Sequence, residues 1–157
     1  MGLIETQDLK DLKTRVRERG AAMVEMVFLL PVICLLIFAI AEFGIAFGQW
    51  QTLNNAVREG ARFAILYRGT CDPGTVQAAV VQKVDDYASA MGGIAPGDVS
   101  VTVNAADVCA GAGTPVPVSA TLVYNFAILP NFSSTWFGSN VSSSITLNAS
   151  STMRKEG

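Results

Sequence analysis

The stretch that decides the fold is residues 19–47, which read RGAAMVEMVFLLPVICLLIFAIAEFGIAF. The 16 residues from Met26 to Ala41 carry no charge, and residues 21–47 hold two charged side chains, Glu25 and Glu42. A helix over residues 21–47 is about 40 Å long, more than the roughly 30 Å of a bilayer's hydrocarbon core. A buried core helix is the alternative, but the rest of a 157-residue chain cannot readily cover so long a rod that is apolar on all sides. The stretch therefore predicts a membrane-spanning helix.

The charges that flank this run predict its orientation. Five basic residues precede it: Lys10, Lys13, Arg15, Arg17 and Arg19. Basic residues stay on the cytoplasmic side of a membrane helix, so we expect residues 1–20 in the cytoplasm and the rest of the chain exported. A cleaved secretory signal peptide is the competing interpretation. Its core is usually shorter, and the triplet Ala39-Ile40-Ala41 lies inside the apolar run and directly before Glu42.

Composition argues against several classes of protein. Only 15% of the residues are charged and the net charge is −2, so there is no basic excess with which to bind nucleic acid. The chain has no histidine, which removes His-ligated metal sites and Ser-His or Cys-His nucleophile pairs. A membrane-tethered hydrolase would need a Ser, Asp or Cys site without histidine, and no such set stands out. We expect no enzyme activity, no metal and no cofactor.

Beyond the apolar run the helical pattern continues, and a second helix follows it. Apolar residues recur at helical spacing from Trp50 to Ala64, and Gly69 ends the pattern, which predicts one helix from about Ala21 to Arg68. Asp72-Pro73 has the form of a helix start and Gly92-Gly93 that of a helix end. The apolar stripe of this second helix consists of Val76, Val80, Val84, Tyr87 and Met91.

The last part of the chain has the period of β-strands. Apolar and polar residues alternate over residues 99–103, 116–126 and 141–149, which suits a three-stranded antiparallel sheet covered by a helix. We expect a loop at residues 129–140. It holds Phe132, Trp136 and Phe137, which either touch the membrane surface or a neighbour, or fill the end of the sheet.

The predicted fold class is therefore α+β: a long N-terminal transmembrane helix that continues into a small exported domain with one docking helix and a roughly three-stranded antiparallel sheet. We divide the chain into a cytoplasmic basic leader (1–20), a transmembrane helix (21–48), its amphipathic continuation (49–69) and the exported α+β domain (70–157).

Two of the three cysteines fall in the exported part. Cys71 and Cys109 lie in turn-like sequence, and an oxidising compartment would favour a disulfide between them over two free thiols. Both states stay open at the level of the sequence. Cys34 lies within the apolar run and is interpreted as a small packing residue.

Glu25 needs an explanation because an acidic group in a membrane helix is costly, about 3 kcal/mol at the centre. One explanation is that its carboxylate reaches back to water at the nearby boundary. The other is a cut after Gly20, which would make Ala21 a free α-amine with an ordinary pKa of about 7.7–8.0. A protonated amine is the partner that a buried carboxylate requires, within one chain or between neighbouring chains.

Residues 19–64 resemble a known family. The stretch RGAAMVE, the following Leu/Phe/Ile-rich run with Pro31, the Glu42-Phe43-Gly44 element and LNNAVREGARFA at residues 53–64 look like the TadE family of minor pseudopilins in tight-adherence (Tad/Flp) pilus systems. The resemblance implies a type IV pilin-like fold and makes Gly20 the last residue of a leader that a prepilin peptidase removes. It makes Ala21 the first mature residue and Glu25 the acid at mature position five.

Further candidate contacts lie along the same helix. Glu42 could face water, pair with Arg58 or Arg62 of a neighbouring subunit, or extend to the membrane surface, and the last is preferred. Gly44 and Gly48 have the GxxxG spacing that lets membrane helices approach closely, although this spacing alone is weak support.

The function that follows is that of a TadE-like pseudopilin in assembly or priming of an adhesive pilus. The expected partners are a prepilin peptidase, other pilins or pseudopilins, the inner-membrane Tad machinery and membrane lipid. The expected location is the bacterial cytoplasmic membrane, with a single pass and a cytoplasmic N-terminus. The alternative is an uncleaved, signal-anchored surface protein whose exported domain is a binding module.

Overall fold

The computed structural model describes residues 3–138 and 141–156, and within them the side chains of residue 20 and of residues from 22 onward. The elements follow in the order α1 (Leu3–Ile65), α2 (Pro73–Gly92), β1 (Val99–Val103), α3 (Ala105–Cys109), β2 (Pro115–Asn125), α4 (Leu129–Phe137) and β3 (Ser144–Arg154). The predicted α+β class, with a long N-terminal helix and a three-stranded antiparallel sheet, is confirmed.

Helix α1 is a single helix of 63 residues. It begins earlier than predicted, within the basic leader, and it ends at Ile65, three residues before the predicted Arg68. Pro31 lies inside the helix and does not end it. Within the described residues, Ala22–Ile65 is the one helix stretch that is long and apolar enough to cross a membrane.

Helix α2 begins and ends where the sequence predicts. The side chain of Asp72 accepts a hydrogen bond from the backbone N–H of Thr75 at 3.2 Å, which satisfies one of the free donors of the first turn. Gly93 ends the helix with φ of 61°, a left-handed conformation that favours glycine. The prediction that Met91 belongs to the buried stripe is wrong, because its side chain is 71% exposed. Ala88 is the last buried residue of α2.

The sheet has the strand order β1-β2-β3, and both pairs are antiparallel. Val101 lies opposite Ala120, which in turn lies opposite Ala149, so that one face of all three strands is apolar. Helices α1 and α2 cover this face. The buried side chains with no exposed surface include Leu53 and Val57 of α1, Val80 and Val84 of α2, and Val118 of β2.

Side chains of α1 and α2 also form hydrogen bonds with the backbone of the two outer strands. Gln77 of α2 donates to the carbonyl of Val101 at 2.7 Å and accepts from the N–H of Val103 at 3.4 Å, on the outer strand β1. Trp50 of α1 donates its indole N–H to the carbonyl of Asn148 on β3 at 3.2 Å. Such contacts satisfy edge groups that would otherwise be free to pair with another chain.

Three local predictions are wrong. The predicted loop 129–140 contains helix α4, and the short helix α3 was not expected. Strand β3 covers Ser144–Arg154 rather than residues 141–149, because its register with β2 continues until Pro115 lies opposite Arg154. The first half of β2 therefore finds its partner in a segment where apolar alternation is weak.

Candidate functional site

The first candidate site is the part of α1 that we call the membrane segment, residues 22–41. Most of its large apolar side chains are exposed and none is buried; Phe28, for example, is 74% exposed. In a protein surrounded by water such a surface is very unfavourable, and contiguous apolar patches of this kind mark membrane or protein contacts. The membrane segment therefore needs lipid or other helices around it.

The predicted processing residues lie at the N-terminal end of this segment. Gly20 is exposed, and a Cβ atom added there would meet nothing within 4 Å. Glu25 is also exposed, and it forms no ion pair with any side chain that the structure describes. The side chain of Ala21 lies outside the described residues. The geometry thus leaves the backbone at Gly20 and the carboxylate of Glu25 accessible.

Glu42 is in a very different environment. It is 4% exposed, and its carboxylate accepts three backbone hydrogen bonds from the residues at the start of α4. Oε1 accepts from the N–H groups of Ala127 and Ile128 at 2.8 and 2.6 Å, and Oε2 accepts from the N–H of Leu129 at 3.0 Å. The preferred prediction, that Glu42 extends to the membrane surface, is wrong.

Glu42 does for α4 what a helix N-cap side chain ordinarily does. Ile128 at the N-cap position supplies no side-chain hydrogen bond, so the free N–H groups of the first turn need another acceptor. A carboxylate at this end also interacts favourably with the helix dipole. Burial, together with the charge of Glu42, raises the pKa of Tyr124 above its ordinary value.

The sequence carried a weak signal for this contact. Pro130 lies in the first turn of α4, a common position for proline in helices, and no Ser, Thr, Asp or Asn directly precedes it. A helix start without its own cap calls for an acceptor from elsewhere. Nothing in the sequence identifies Glu42 as that acceptor, because 85 residues separate it from Ala127.

Aromatic contacts hold α4 and the end of β2 against α1. The rings of Phe38 and Phe132 meet edge to face with centroids 5.7 Å apart, and Phe43 lies 5.3 Å from Phe126. Phe132 also stacks on Trp136 at 6.1 Å. Because Phe132 follows Leu129 while Phe38 precedes Glu42, the first turn of α4 runs back along α1 toward the membrane segment.

Gly44 and Gly48 do not contact another helix within the described chain. A Cβ atom at either position would meet nothing within 4 Å, so this face of α1 is open. Their role as helix contacts stays a prediction. Next to them, Phe43, Phe47, Trp50 and Ile145 line an open, almost wholly apolar groove of about 360 Å³ between α1 and β3.

The charged residues farther along α1 form local pairs. Glu59 lies 3.8 Å from Arg62 and 3.9 Å from Lys83 of α2, all at least partly exposed. Gly60, the residue after Glu59, is buried, and a Cβ atom there would lie 2.5 Å from a methyl group of Val84. The Arg58–Arg62 stretch thus combines a solvated charged face with a close approach of α1 to α2.

Cys71 and Cys109 form a disulfide, with Cα atoms 5.8 Å apart and a sequence separation of 38. The bridge ties the turn after α1 to the end of α3, and the prediction of a disulfide is confirmed. Cys34 is a free, half-buried thiol in the membrane segment. Among the side chains that the structure describes, those of residues 20, 22–138 and 141–156, no group of three or more Cys, Asp or Glu residues is placed to hold a metal ion.

Comparison with known proteins bears on the N-terminal helix. Comparisons with curated proteins and with solved structures gave no match. Residues 20–62 match the family described as TadE-like protein, and this range contains Gly20, Glu25, Glu42 and Gly60. It ends within α1, before the remaining helices and strands begin. The predicted resemblance of this segment to the TadE-like family is thereby confirmed, and it suggests a role in tight-adherence pilus systems.

Proposed function

We propose that this protein is a TadE-like pseudopilin that acts in the assembly or priming of a tight-adherence pilus. The observation that carries the proposal is the membrane segment, which lies within the family match and exposes apolar side chains on every side. Such a rod is suited first to storage in a membrane and then to packing among other apolar helices. We propose no catalytic role and no cofactor.

The switch between these two states is processing by a prepilin peptidase after Gly20. The cut removes a leader with five basic residues, which hold the N-terminus in the cytoplasm. It also creates an α-amine at Ala21, about one helical turn from Glu25. At pH 7 this amine is mostly protonated, so it neutralises a carboxylate that would otherwise enter an apolar assembly as an unpaired charge.

The proposed location follows from the same segment. The helix crosses the bacterial cytoplasmic membrane once, with residues 1–20 inside and the disulfide-linked domain exported. Its proposed partners are the peptidase, other pilins or pseudopilins, the membrane-bound Tad machinery and lipid. A disulfide in the domain fits an oxidising compartment outside the cytoplasm.

The first experiment measures the intact mass and N-terminal sequence of the protein from cells with and without the prepilin peptidase. We expect a chain of 137 residues, 157 minus 20, that begins at Ala21 only when the peptidase is present. Gly20→Val should block processing, while Gly44→Val should not, and both side chains enter open space. A chain that begins at Met1 in both strains would overturn the proposal and favour the uncleaved, anchored binding protein.

The second experiment separates processing from assembly. Glu25→Gln should leave the cut after Gly20 intact and reduce piliation at least tenfold, because the α-amine loses its charged partner. Glu59→Gln is the matched control, since Glu59 is a partly exposed carboxylate whose contacts are long surface ion pairs. Normal piliation with Glu25→Gln would contradict the assembly role of this carboxylate.

A further inference from the structure

Helix α4 and the residue before it expose an apolar surface next to the membrane segment. Trp136 is 59% exposed, Phe137 46% and Ile128 44%. We propose that α4 is a membrane-interface helix and that the occupant of this surface, which we call the α4 patch, is lipid of the outer leaflet. The proposal rests on α1 crossing a membrane and is independent of pilus assembly and of cleavage at Gly20.

The length of the membrane segment places α4 at the right level. Residues 22–41 form 20 residues of helix, about 30 Å, which matches the hydrocarbon core. Glu42 then lies at the outer boundary, and it holds the start of α4 through three hydrogen bonds. The contact between Phe38 and Phe132 brings the next turn of α4 alongside the last turn of the membrane segment.

Several N–H groups at the start of α4 have acceptors within the chain, which lowers the cost of an environment with little water. At the start of a helix the first N–H groups usually bind water or a side chain, and in lipid each unsatisfied group costs several kcal/mol. Here Ala127, Ile128 and Leu129 donate to Glu42, while residue 130 is a proline without an N–H. The N–H of Phe132 donates to the carbonyl of Ile128 at 2.9 Å.

The polar side chains of α4 are satisfied in the same way, within the helix itself. All four donate to a backbone carbonyl three or four residues earlier, at 2.8–3.1 Å: Asn131 to Ala127, Ser133 to Pro130, Ser134 to Asn131, and Thr135 to Asn131. Ser and Thr adopt this arrangement in membrane helices, where no water competes for their hydroxyl groups. Each of the four polar side chains in the segment LPNFSSTWF therefore has a hydrogen-bond acceptor within the protein.

The α4 patch is also continuous with the exposed side chains of the membrane segment, through Phe38 and Phe132. Tryptophan is enriched in the interfacial region of membranes, where its large ring contacts lipid. Lipid that surrounds α1 therefore also meets Trp136. The proposed consequence is that Glu42 fixes the height of the exported domain on the membrane.

The chain contains two tryptophans, Trp50 and Trp136, which makes the test direct. The full-length protein is reconstituted in vesicles of phosphatidylethanolamine and phosphatidylglycerol that contain a phosphatidylcholine with a quencher on its upper acyl chain. The Trp50→Phe variant reports Trp136, and the Trp136→Phe variant reports Trp50. Trp50 lies eight residues beyond Glu42, about 12 Å farther from the membrane, and serves as the matched control.

We expect lipid quenching of Trp136 to exceed that of Trp50 severalfold, with a blue-shifted emission for Trp136. Strong quenching of Trp136 by aqueous acrylamide and none by lipid would overturn the proposal. Protection from both quenchers, dependent on protein concentration, would overturn it in favour of a second copy on the α4 patch. These quenching measurements use no Glu42 variant, so their outcome does not depend on whether such a variant folds.

A third variant tests the role of Glu42. Glu42→Gln keeps the size of the side chain but removes the charge that accepts from three N–H groups, so quenching of Trp136 by lipid should fall at least twofold as α4 loosens. Glu59→Gln is the control and should leave it unchanged, because Glu59 pairs with Arg62 and Lys83 and not with α4. Unchanged quenching with Glu42→Gln would contradict the inference that this carboxylate positions α4.

Discussion

Two neighbouring segments of helix α1 lie in opposite environments. In the membrane segment, residues 22–41, most apolar side chains are exposed and none is buried, whereas in the packed segment, residues 42–65, Leu53 and Val57 have no exposed surface. The difference comes from neighbours: α2 and the sheet cover one side of the packed segment, and nothing in the described chain covers most of the membrane segment. Glu42 is the point at which the change begins.

Removing the disulfide should have the largest effect of the variants considered, and this effect should be confined to one of the two segments. A bridge that closes 38 residues stabilises a fold by about 3–4 kcal/mol on the chain-entropy model. Replacing Cys71 and Cys109 together by serine should lower the free energy of unfolding of the C-terminal domain by about that amount. We expect the membrane segment to stay helical in detergent, because its backbone hydrogen bonds are internal and its surroundings are unchanged.

The measurement is a urea titration in detergent, followed by near-ultraviolet circular dichroism for the domain and by far-ultraviolet circular dichroism for helix content. Cys34→Ser is the control, since this free thiol lies in the membrane segment and should not shift the domain's midpoint. An unchanged midpoint for the double variant would mean that the bridge does not constrain the domain.

Two glycines of α1, one in the packed segment and one on an open face, provide a second test. The expected effect on stability is smaller than that of the disulfide. At Gly60 a Cβ atom would lie 2.5 Å from Val84, so Gly60→Ala should destabilise the domain by about 1–3 kcal/mol through overpacking. At Gly44, on an open face of the same helix, Gly44→Ala should be neutral or gain up to about 1 kcal/mol in helix propensity. Equal unfolding midpoints for the two variants would show that α2 can shift away without cost.

The sequence predicted best those elements whose signals are local. Asp72-Pro73 and Gly93 fix the ends of α2 through capping geometry that involves only nearby residues, and β1 follows from strict alternation. The apolar run of α1 gave an equally clear signal, because 16 consecutive residues from Met26 to Ala41 carry no charge. These features depend on periodicity and on special residues at element ends.

The features that the sequence did not reveal depend on distant partners. Helix α4 was predicted as a loop because its start lacks a capping side chain of its own, and the missing acceptor is Glu42, 85 residues earlier. The role of Glu42 was missed for the same reason: a charge near a membrane boundary usually extends to water. Likewise, the end of β3 follows from its pairing with β2 and not from its own alternation.

The smallest predicted effect contrasts Glu42 with a second acidic residue, Asp85 of α2. Glu42 has three donors, whereas Oδ1 of the half-buried Asp85 is buried without a hydrogen-bond partner in the part of the chain that the structure describes. Burial, with added repulsion from Asp86 and Asp98, raises the pKa of Asp85 above 3.8, although the N–H of Gly97 partly opposes this. The folded state therefore holds this proton more tightly than the unfolded state.

The sign of the pH effect follows from that direction. Well below pH 3.8 Asp85 is protonated in both states and does not affect their balance; as the pH rises from 3.8 through the raised pKa, the folded state loses stability relative to the unfolded state. Asp85→Asn should therefore raise the urea midpoint slightly at pH 7, and this gain should shrink toward pH 3. Urea titrations at the two pH values test this, with the exposed Asp86→Asn as control. A gain of equal size at both pH values would trace the effect to packing of the amide and not to the buried charge.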